Sequence, residues 1–241
     1  MMDINKIYNK SYYLDQYQKS EQIAWDNGQL RYGDQCAALS YLFGLYDFEA
    51  IRNKFGFKDN GLGTDPVIGV KSQIEKIKEI QEIWGGNPQY VVEVGAGRCE
   101  LSFVLSDMGV KTTAIEPASC VFELIPKTIE KLNIRPTENF KLINKKLEDC
   151  IDDLGDFDAM LFVESLEHLE QEEFENVFPK IKSILSKNSG LFIVVNWIQY
   201  HPLETNSIDH IMKIDDDFFD RISTEAKSVL YRNGSHLVLQ F

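Results

Sequence analysis

The sequence lacks long hydrophobic runs. No stretch approaches the roughly 18 uninterrupted apolar residues that a membrane-spanning helix needs. The first ten residues also lack the apolar core of a signal peptide. We therefore expect a cytoplasmic protein with no membrane partner.

Closely spaced cysteines are missing as well. The four cysteines, which are Cys36, Cys99, Cys120 and Cys150, are spread along the chain. A zinc site requires close paired spacing of its ligands, which this arrangement does not offer. We expect buried or free thiols.

Positive charge is scarce. Lys and Arg total 25 against 38 Asp and Glu, which gives a net charge of −13. A surface this acidic repels a polyphosphate instead of releasing its counterions. The charge balance therefore disfavours nucleic acid as a substrate or partner.

The chain has 241 residues, 44% of them apolar, which is enough for one α/β domain and an accessory segment. From Tyr90 onward, short apolar runs alternate with amphipathic segments, a pattern typical of a largely parallel sheet covered by helices. The predicted strands are Tyr90–Val94, Thr112–Glu116, Phe140–Asn144, Phe157–Phe162 and Leu191–Asn196. Ser228–Arg232 and His236–Phe241 then predict an antiparallel hairpin, closed by a type I′ turn at Asn233–Gly234.

Apolar residues at spacings of three and four predict two helices with one buried face each. The first face consists of Val70, Ile74, Ile77, Ile80 and Trp84, and the second of Phe174, Val177, Phe178, Ile181 and Leu185. The residues before the first helix contain no strand-rich core. We therefore divide the chain into an N-terminal helical cap, residues 1–69, and a main domain, residues 70–241. The aromatic start of the cap, including Tyr13, either packs on the main domain or closes over an acceptor as a lid.

The strongest motif is the run from Val91 to Cys99, an apolar strand that ends in an acid and two glycines. Gly95 and Gly97 let the chain turn sharply and let a ligand lie against main-chain N–H groups at a helix start. Glu116, at the end of the second predicted strand, is placed to accept both hydroxyls of a ribose. A dinucleotide fingerprint requires glycine where this chain has Glu100, so NAD is disfavoured.

These residues resemble the nucleotide loop of class I (Rossmann-like) S-adenosylmethionine-dependent methyltransferases, in which an acid precedes three alternate glycines. The corresponding residues here are Glu93, Gly95 and Gly97, Ala96 lies between the two glycines, and Cys99 stands in place of the third glycine. The resemblance implies that Glu93, Gly95, Ala96 and Gly97 bind the cofactor. The resemblance implies that Glu116 holds the ribose of the cofactor and that Leu147 and Glu148 contact the adenine. It also implies a Rossmann-like, seven-stranded, mostly parallel sheet that ends in an antiparallel hairpin.

The residues after the fourth predicted strand resemble the motif that lines the cofactor and acceptor side in this family. Glu164, Glu167 and His168 are the matching residues. His168 is either a general base for a hydroxyl or amine acceptor or a histidine bonded to the backbone at a helix start. Together with His210, the three residues also resemble the divalent-cation site of small-RNA 2′-O-methyltransferases.

Polar and aromatic residues follow the fifth predicted strand, at the edge where open α/β sheets bind ligands. The candidates for the acceptor wall are Asn196, Trp197, Tyr200 and His201. The resemblance implies methyl transfer from S-adenosylmethionine (SAM) to an O or N atom of a small-molecule acceptor, with S-adenosylhomocysteine (SAH) as product. The alternatives are a non-catalytic protein of the same fold and a metal-dependent RNA 2′-O-methyltransferase.

Overall fold

The computed structural model describes Leu42, Lys54 and the ranges 70–85, 88–196, 211–234 and 236–241. The chain falls into two compact units. The first unit contains Met1–Asn87, Gly97–Gly109 and Ala118–Phe140; the second contains Pro88–Ala96, Val110–Pro117 and Lys141–Phe241. Nearly all of the predicted cap, including Tyr13, lies outside the described residues.

The described elements alternate between strands and helices, as expected of an α/β protein. The helices are α1 (Val70–Trp84), α2 (Glu100–Asp107), α3 (Ile125–Leu132), α4 (Gln171–Leu185) and α5 (Asp216–Ser223). The strands are β1 (Tyr90–Val94), β2 (Lys111–Ile115), β3 (Phe140–Ile143), β4 (Ala159–Val163), β5 (Leu191–Val195), β6 (Ser228–Arg232) and β7 (His236–Gln240). Short 3-10 helices span Ser119–Leu124, Ile151–Asp153 and Leu166–His168. Within these ranges, no helix is long and apolar enough to cross a membrane.

The strands form one seven-stranded sheet in the order β3-β2-β1-β4-β5-β7-β6. Strand β1 is parallel to β2 and to β4, and β4 is parallel to β5. Strand β7 runs antiparallel to β5 and to β6, with a bulge between Val229 and Tyr231. The predicted mostly parallel sheet with a terminal antiparallel hairpin is confirmed.

Strand bounds differ from the predictions by one or two residues, and the differences have physical reasons. Phe157 and Asp158 were predicted to begin the fourth strand, but Asp158 turns its carboxylate to the start of β1. There Oδ2 accepts the main-chain N–H groups of Gln89 at 2.7 Å and Tyr90 at 2.9 Å. At the other end of the sheet, Glu116, Asn144 and Asn196 lie just beyond their strands.

The main core of the second unit lies on one face of the sheet, under α4 and α5. The predicted buried face of α4 is confirmed, because Phe174, Val177, Phe178, Ile181 and Leu185 are all buried. Phe174 stacks on Phe178 with ring centroids 5.0 Å apart and contacts Phe218 of α5 at 5.3 Å. Asp215 caps α5, because its carboxylate accepts the N–H of Phe218 at 3.0 Å.

The hairpin is present, but its turn is not where the sequence predicted it. The N–H of Asn233 donates to the carbonyl of His236 at 3.0 Å, and the N–H of His236 donates to Asn233 Oδ1 at 2.7 Å. The turn therefore lies between these two residues, and the predicted type I′ turn centred on Asn233 and Gly234 is wrong. In a tight turn between Asn233 and His236, the N–H of His236 would donate to the main-chain carbonyl of Asn233, whereas here the side-chain Oδ1 accepts that bond.

The first unit contains α1, α2 and α3. In α1, Ile80 and Trp84 are buried as predicted, and Ile77 is partly buried. The ring of Phe103 in α2 lies 4.5 Å from that of Phe140, measured between centroids. Ser106 and Thr137 join their hydroxyls at 2.6 Å. These contacts hold α2 against the segment that leads into β3.

Candidate cofactor-binding site

The parallel strands of the second unit bring several predicted site residues to one edge of the sheet. Val94 pairs with Ile115 and Phe162, and Val163 pairs with Val195. The chain segments that follow these strands therefore emerge side by side, at the carboxyl edge where open α/β sheets bind ligands.

Gly95 begins the turn after β1 and is required there for two reasons. Its φ angle of +67° lies in the left-handed region. A Cβ built on Gly95 would stand 2.4 Å from Ser165 Cβ, and Ser165 is fixed by the bond from its Oγ to the carbonyl of Val94 at 2.7 Å. Ser165 was missed by sequence reasoning, since only the folded sheet brings it beside β1.

The main-chain N–H groups of this turn are used inside the protein. Gly95 and Ala96 both donate to the carbonyl of Ile115, at 2.8 and 3.1 Å. These two N–H groups are therefore engaged inside the protein, and the expectation that a ligand lies against main-chain N–H groups at the helix start stays a prediction. The bonds instead tie the turn to the end of β2, directly before Glu116.

In the first unit, two more residues have backbone angles in the left-handed region. Gly97 has φ +50° and Cys99 has φ +61°. Cys99 is the N-cap residue of α2, is fully buried, and has Sγ 3.7 Å from the carbonyl of Gly97. This position favours glycine, and a cysteine here costs about 1–2 kcal/mol of backbone strain. The residue that replaces the third glycine of the motif, Cys99, is therefore held in a strained backbone conformation.

The same unit contains a buried ion pair that the sequence analysis did not identify. Arg98 Nη2 lies 3.2 Å from Glu100 Oε1 and 3.3 Å from Oε2, and both side chains are nearly inaccessible. Glu100 is the first residue of α2, where the helix dipole favours a negative charge. Removing Arg98 would leave the buried Glu100 carboxylate without this partner.

Glu116, the predicted ribose ligand, is buried at 6% exposure directly after β2. Its N–H donates to the carbonyl of Ile143 at 3.0 Å. Asn144 holds the same loop, because its Nδ2 donates to the carbonyl of Glu116 at 2.8 Å and to that of Pro117 at 3.0 Å. Asn144 was predicted only as the last residue of a strand, and its role follows from long-range contacts.

Leu147 and Glu148, the predicted adenine contacts, differ in their surroundings. The Leu147 side chain belongs to the buried core, and its carbonyl accepts the N–H groups of Cys150 and Ile151. Glu148 is exposed, with Oε1 3.7 Å from Lys146 Nζ. Their contact with adenine stays a prediction.

Titratable groups near this loop are perturbed by burial. Burial raises the pKa of Glu173 to about 7; Lys146 opposes the rise, and the carboxylates of Glu148 and Glu170 add to it. Burial also raises the pKa of the Cys150 thiol to about 11. Cys99 and Cys150 are both buried, as expected.

The segment after β4 carries the residues predicted for the acceptor side. Glu164 has φ +50°, a conformation that costs a residue with a side chain about 1–2 kcal/mol, and its N–H donates to the carbonyl of Val195 at 2.8 Å. Strained backbone of this kind is concentrated at functional sites. Glu93, the acid before the glycine turn, is buried within β1.

Glu167 and His168 belong to a short 3-10 helix. The carbonyl of Glu167 accepts the N–H groups of Ile211 at 2.7 Å and Met212 at 3.0 Å. His168 Nε2 lies 3.9 Å from Glu167 Oε1, and its side chain is 22% exposed. The described residues include no group of three or more His, Cys, Asp or Glu side chains able to hold a metal ion. His210, the fourth ligand of the cation site considered above, lies outside the described residues, so that alternative stays a prediction.

Asn196 directly follows β5, at the edge predicted for the acceptor. Its side chain is fully buried, and neither Nδ2 nor Oδ1 has a hydrogen-bond partner among the described residues. Burying such an amide without partners costs about 1–3 kcal/mol. Three further candidates for the acceptor wall, Trp197, Tyr200 and His201, lie outside the described residues.

The chain matches no protein-family model and no curated protein. Its structure is similar to that of an O-methyltransferase family protein from Burkholderia thailandensis, with 10% identity and a TM-score of 0.50, over 73% of this chain and 61% of that one. A ribosomal protein L11 methylase from Lactobacillus delbrueckii subsp. bulgaricus gives 17% identity and a TM-score of 0.44, over 73% and 81%. The SAH-bound Podospora anserina methyltransferase has 15% identity and a TM-score of 0.46, over 70% of this chain and 79% of that one.

The chain spans about three fifths of the Burkholderia protein's length. At this level of identity the similarity establishes the fold. The protein therefore has the Rossmann-like α/β fold of class I methyltransferases, as the sequence motif predicted. Its activity has to be argued from the residues of the site.

Proposed function

We propose that this protein is a SAM-dependent methyltransferase that transfers a methyl group to an O or N atom of a small-molecule acceptor. The observation that carries the proposal is the placement of Glu116. This buried acid follows β2 directly and is tied to the glycine turn through the bonds that Gly95 and Ala96 donate to Ile115. A carboxylate in this position suits the two hydroxyls of a ribose.

The charge of the site fits the same cofactor. Glu93 and Glu116 are both 6% exposed, and the protein as a whole carries a net charge of −13. Buried carboxylates favour a ligand that carries hydroxyls and positive charge, and they repel a pyrophosphate. SAM carries a sulfonium and an ammonium, whereas NAD carries a pyrophosphate. The acidic net charge also supports a small acceptor over nucleic acid.

When bound, SAM would supply an activated methyl group to a lone pair of the acceptor. In this proposal the protein contributes by binding and orientation. Glu116 holds the ribose, and Gly95 and Ala96 form the turn that is bonded to the end of β2. Leu147 and Glu148 contact the adenine, and Gly97 is a cofactor residue by the family resemblance alone. Glu164 lies on the methionine side. His168, which is partly exposed, receives the proton of a hydroxyl or amine acceptor. A cytoplasmic location stays a prediction.

Calorimetric titration with SAM, SAH and NAD tests the proposal. We expect both adenosyl ligands to bind with micromolar affinity and NAD not to bind. Glu116→Ala should weaken SAH binding by about tenfold or more, because it removes hydrogen bonds to a charged acceptor. Glu225→Ala is the matched control: it removes one negative charge from an exposed ion pair with Lys182 and should leave SAH binding unchanged.

Three outcomes would contradict the proposal in different ways. Binding of NAD in place of SAH would reverse the choice of cofactor. Equal SAH binding by the wild type and Glu116→Ala would remove Glu116 from the ribose site. SAH binding without methyl transfer to any acceptor in a broad screen would favour a protein that keeps the fold without the activity.

A further inference from the structure

The side-chain amide of Asn196 has no hydrogen-bond partner in the part of the chain that the structure describes. Its side chain is fully buried, and its Nδ2 and Oδ1 atoms both lack a partner among the described residues. Buried polar groups in native proteins are nearly always bonded, so an exception requires an explanation. A ligand that completes the bonds is one such explanation.

The position of Asn196 in the sheet favours the acceptor over the cofactor. Val163 pairs with Val195, and the N–H of Glu164 donates to the carbonyl of Val195, so Glu164 and Asn196 are the next residues on neighbouring strands. Strand β4 separates β5 from β1, where the glycine turn lies. Asn196 is therefore one strand further from the proposed nucleoside site than Glu164.

Asn196 also follows a line of buried apolar side chains on one face of β5. Phe192 and Val194 of β5 belong to the buried core, and Asn196 continues their alternation along the strand. An asparagine that follows such a line places one donor group and one acceptor in the same plane. A carboxylate can use only the donor, and an ammonium can use only the acceptor. A primary carboxamide or a lactam edge satisfies both with a cyclic pair of hydrogen bonds.

We propose that Asn196 determines the substrate class of the enzyme by pairing with a neutral carboxamide or lactam edge on a small-molecule acceptor. This inference rests on the proposed methyltransferase function, and it adds the chemical group by which the acceptor is recognised. It predicts that acceptors carrying a carboxylate or an ammonium in the same place are rejected, because half of the asparagine amide would stay unpaired.

Three probes of nearly equal shape test the pairing. Benzamide offers a donor and an acceptor, benzoate only acceptors, and benzamidine only donors. Their binding to SAH-saturated protein is measured by ligand-observed NMR at pH 7.5. We expect the wild type to bind benzamide at least about tenfold more tightly than the other two. Asn196→Asp should transfer the preference to benzamidine, and Asn196→Leu should remove any preference.

Thermal unfolding without ligand supplies a second measurement. Asn196→Leu replaces a buried amide that has no partner within the described ranges by an apolar side chain of similar size, so its unfolding temperature should rise. Asn144→Leu is the matched control, because Asn144 also follows a strand at this edge but donates to two carbonyls. Its unfolding temperature should fall.

The outcomes separate this inference from the proposed function. Equal binding of the three probes, a preference that survives in Asn196→Leu, or a fall in the unfolding temperature of Asn196→Leu would each overturn the role of Asn196. SAH binding by all variants together with such a result would leave the proposed function intact. Failure of the wild type to bind SAH would overturn the proposed function, and the probe and unfolding measurements, repeated without SAH, would still decide the role of Asn196.

Discussion

The contact between Gly95 and Ser165 allows the geometry of the glycine turn to be tested by a double-mutant cycle. Gly95→Ala places a methyl group at a residue with φ +67° and 2.4 Å from Ser165 Cβ. The positive φ costs about 1 kcal/mol. The close contact adds about 1–3 kcal/mol of overpacking. We expect a loss of about 3 kcal/mol and a fall in the unfolding temperature of roughly 6–12 °C.

Two substitutions of Ser165 separate the close contact from the hydroxyl bond. Both Ser165→Ala and Ser165→Gly remove the bond from Oγ to the carbonyl of Val94. Only Ser165→Gly removes the Cβ that an alanine at Gly95 would meet. The coupling free energy between Gly95→Ala and Ser165→Gly, measured by chemical denaturation, should therefore be about 1–2 kcal/mol. The coupling free energy between Gly95→Ala and Ser165→Ala should be much smaller. Equal coupling energies in the two cycles, or none in either, would refute this explanation of Gly95.

Three further changes have defined outcomes. Cys99→Gly should be more stable than Cys99→Ala by about 1 kcal/mol in chemical denaturation, because both remove Sγ but only glycine relieves the left-handed backbone. Glu173→Gln should stabilise the protein by about 1–2 kcal/mol at pH 8, after allowance for solvent screening, and by nothing at pH 4. Folding raises the pKa of the Glu173 carboxyl from 4.5 to about 7, so the protonated carboxyl favours the folded state. This contribution to stability is complete below pH 4.5 and is lost as the pH rises to about 7. Asn144→Ala should weaken SAH binding about fivefold in calorimetry but have no effect in the Glu116→Ala background, because Asn144 acts by positioning Glu116.

Each of these expectations has a contrary result. A Cys99→Ala variant as stable as Cys99→Gly would mean that the backbone relaxes without cost. Unfolding profiles of wild type and Glu173→Gln that stay parallel from pH 4 to pH 8 would show that the Glu173 carboxyl titrates normally. Equal weakening of SAH binding by Asn144→Ala in both backgrounds would show that Asn144 does not act through Glu116.

The fold could be predicted from the sequence because its main signals are local. Apolar runs such as Leu191–Asn196 and the spaced aromatic residues of α4 depend on the period of each element, which the sequence records directly. Element ends were less accurate, since they depend on side chains that leave the strand. Asp158 bonds to the start of β1, and the side chain of Asn233 accepts the N–H of His236 at the hairpin turn.

The residues at the carboxyl edge of the sheet were predicted in part. The acid and glycines of the turn and Glu116 were identified from their spacing along the chain. The roles of Ser165 and Asn144 were missed, because their partners are distant in sequence and become neighbours only in the sheet. Cys99 was recognised as a departure from the family pattern, but its strain became evident only from the backbone angle.

The crystal structure of the SAH complex is the most direct test of the proposed cofactor site. We predict that the ribose hydroxyls of SAH lie within hydrogen-bonding distance of the Glu116 carboxylate, at about 2.5–3.0 Å. We also predict that the adenine lies on the side of Leu147 and Glu148. A complex in which SAH binds with its ribose away from Glu116 would contradict the account.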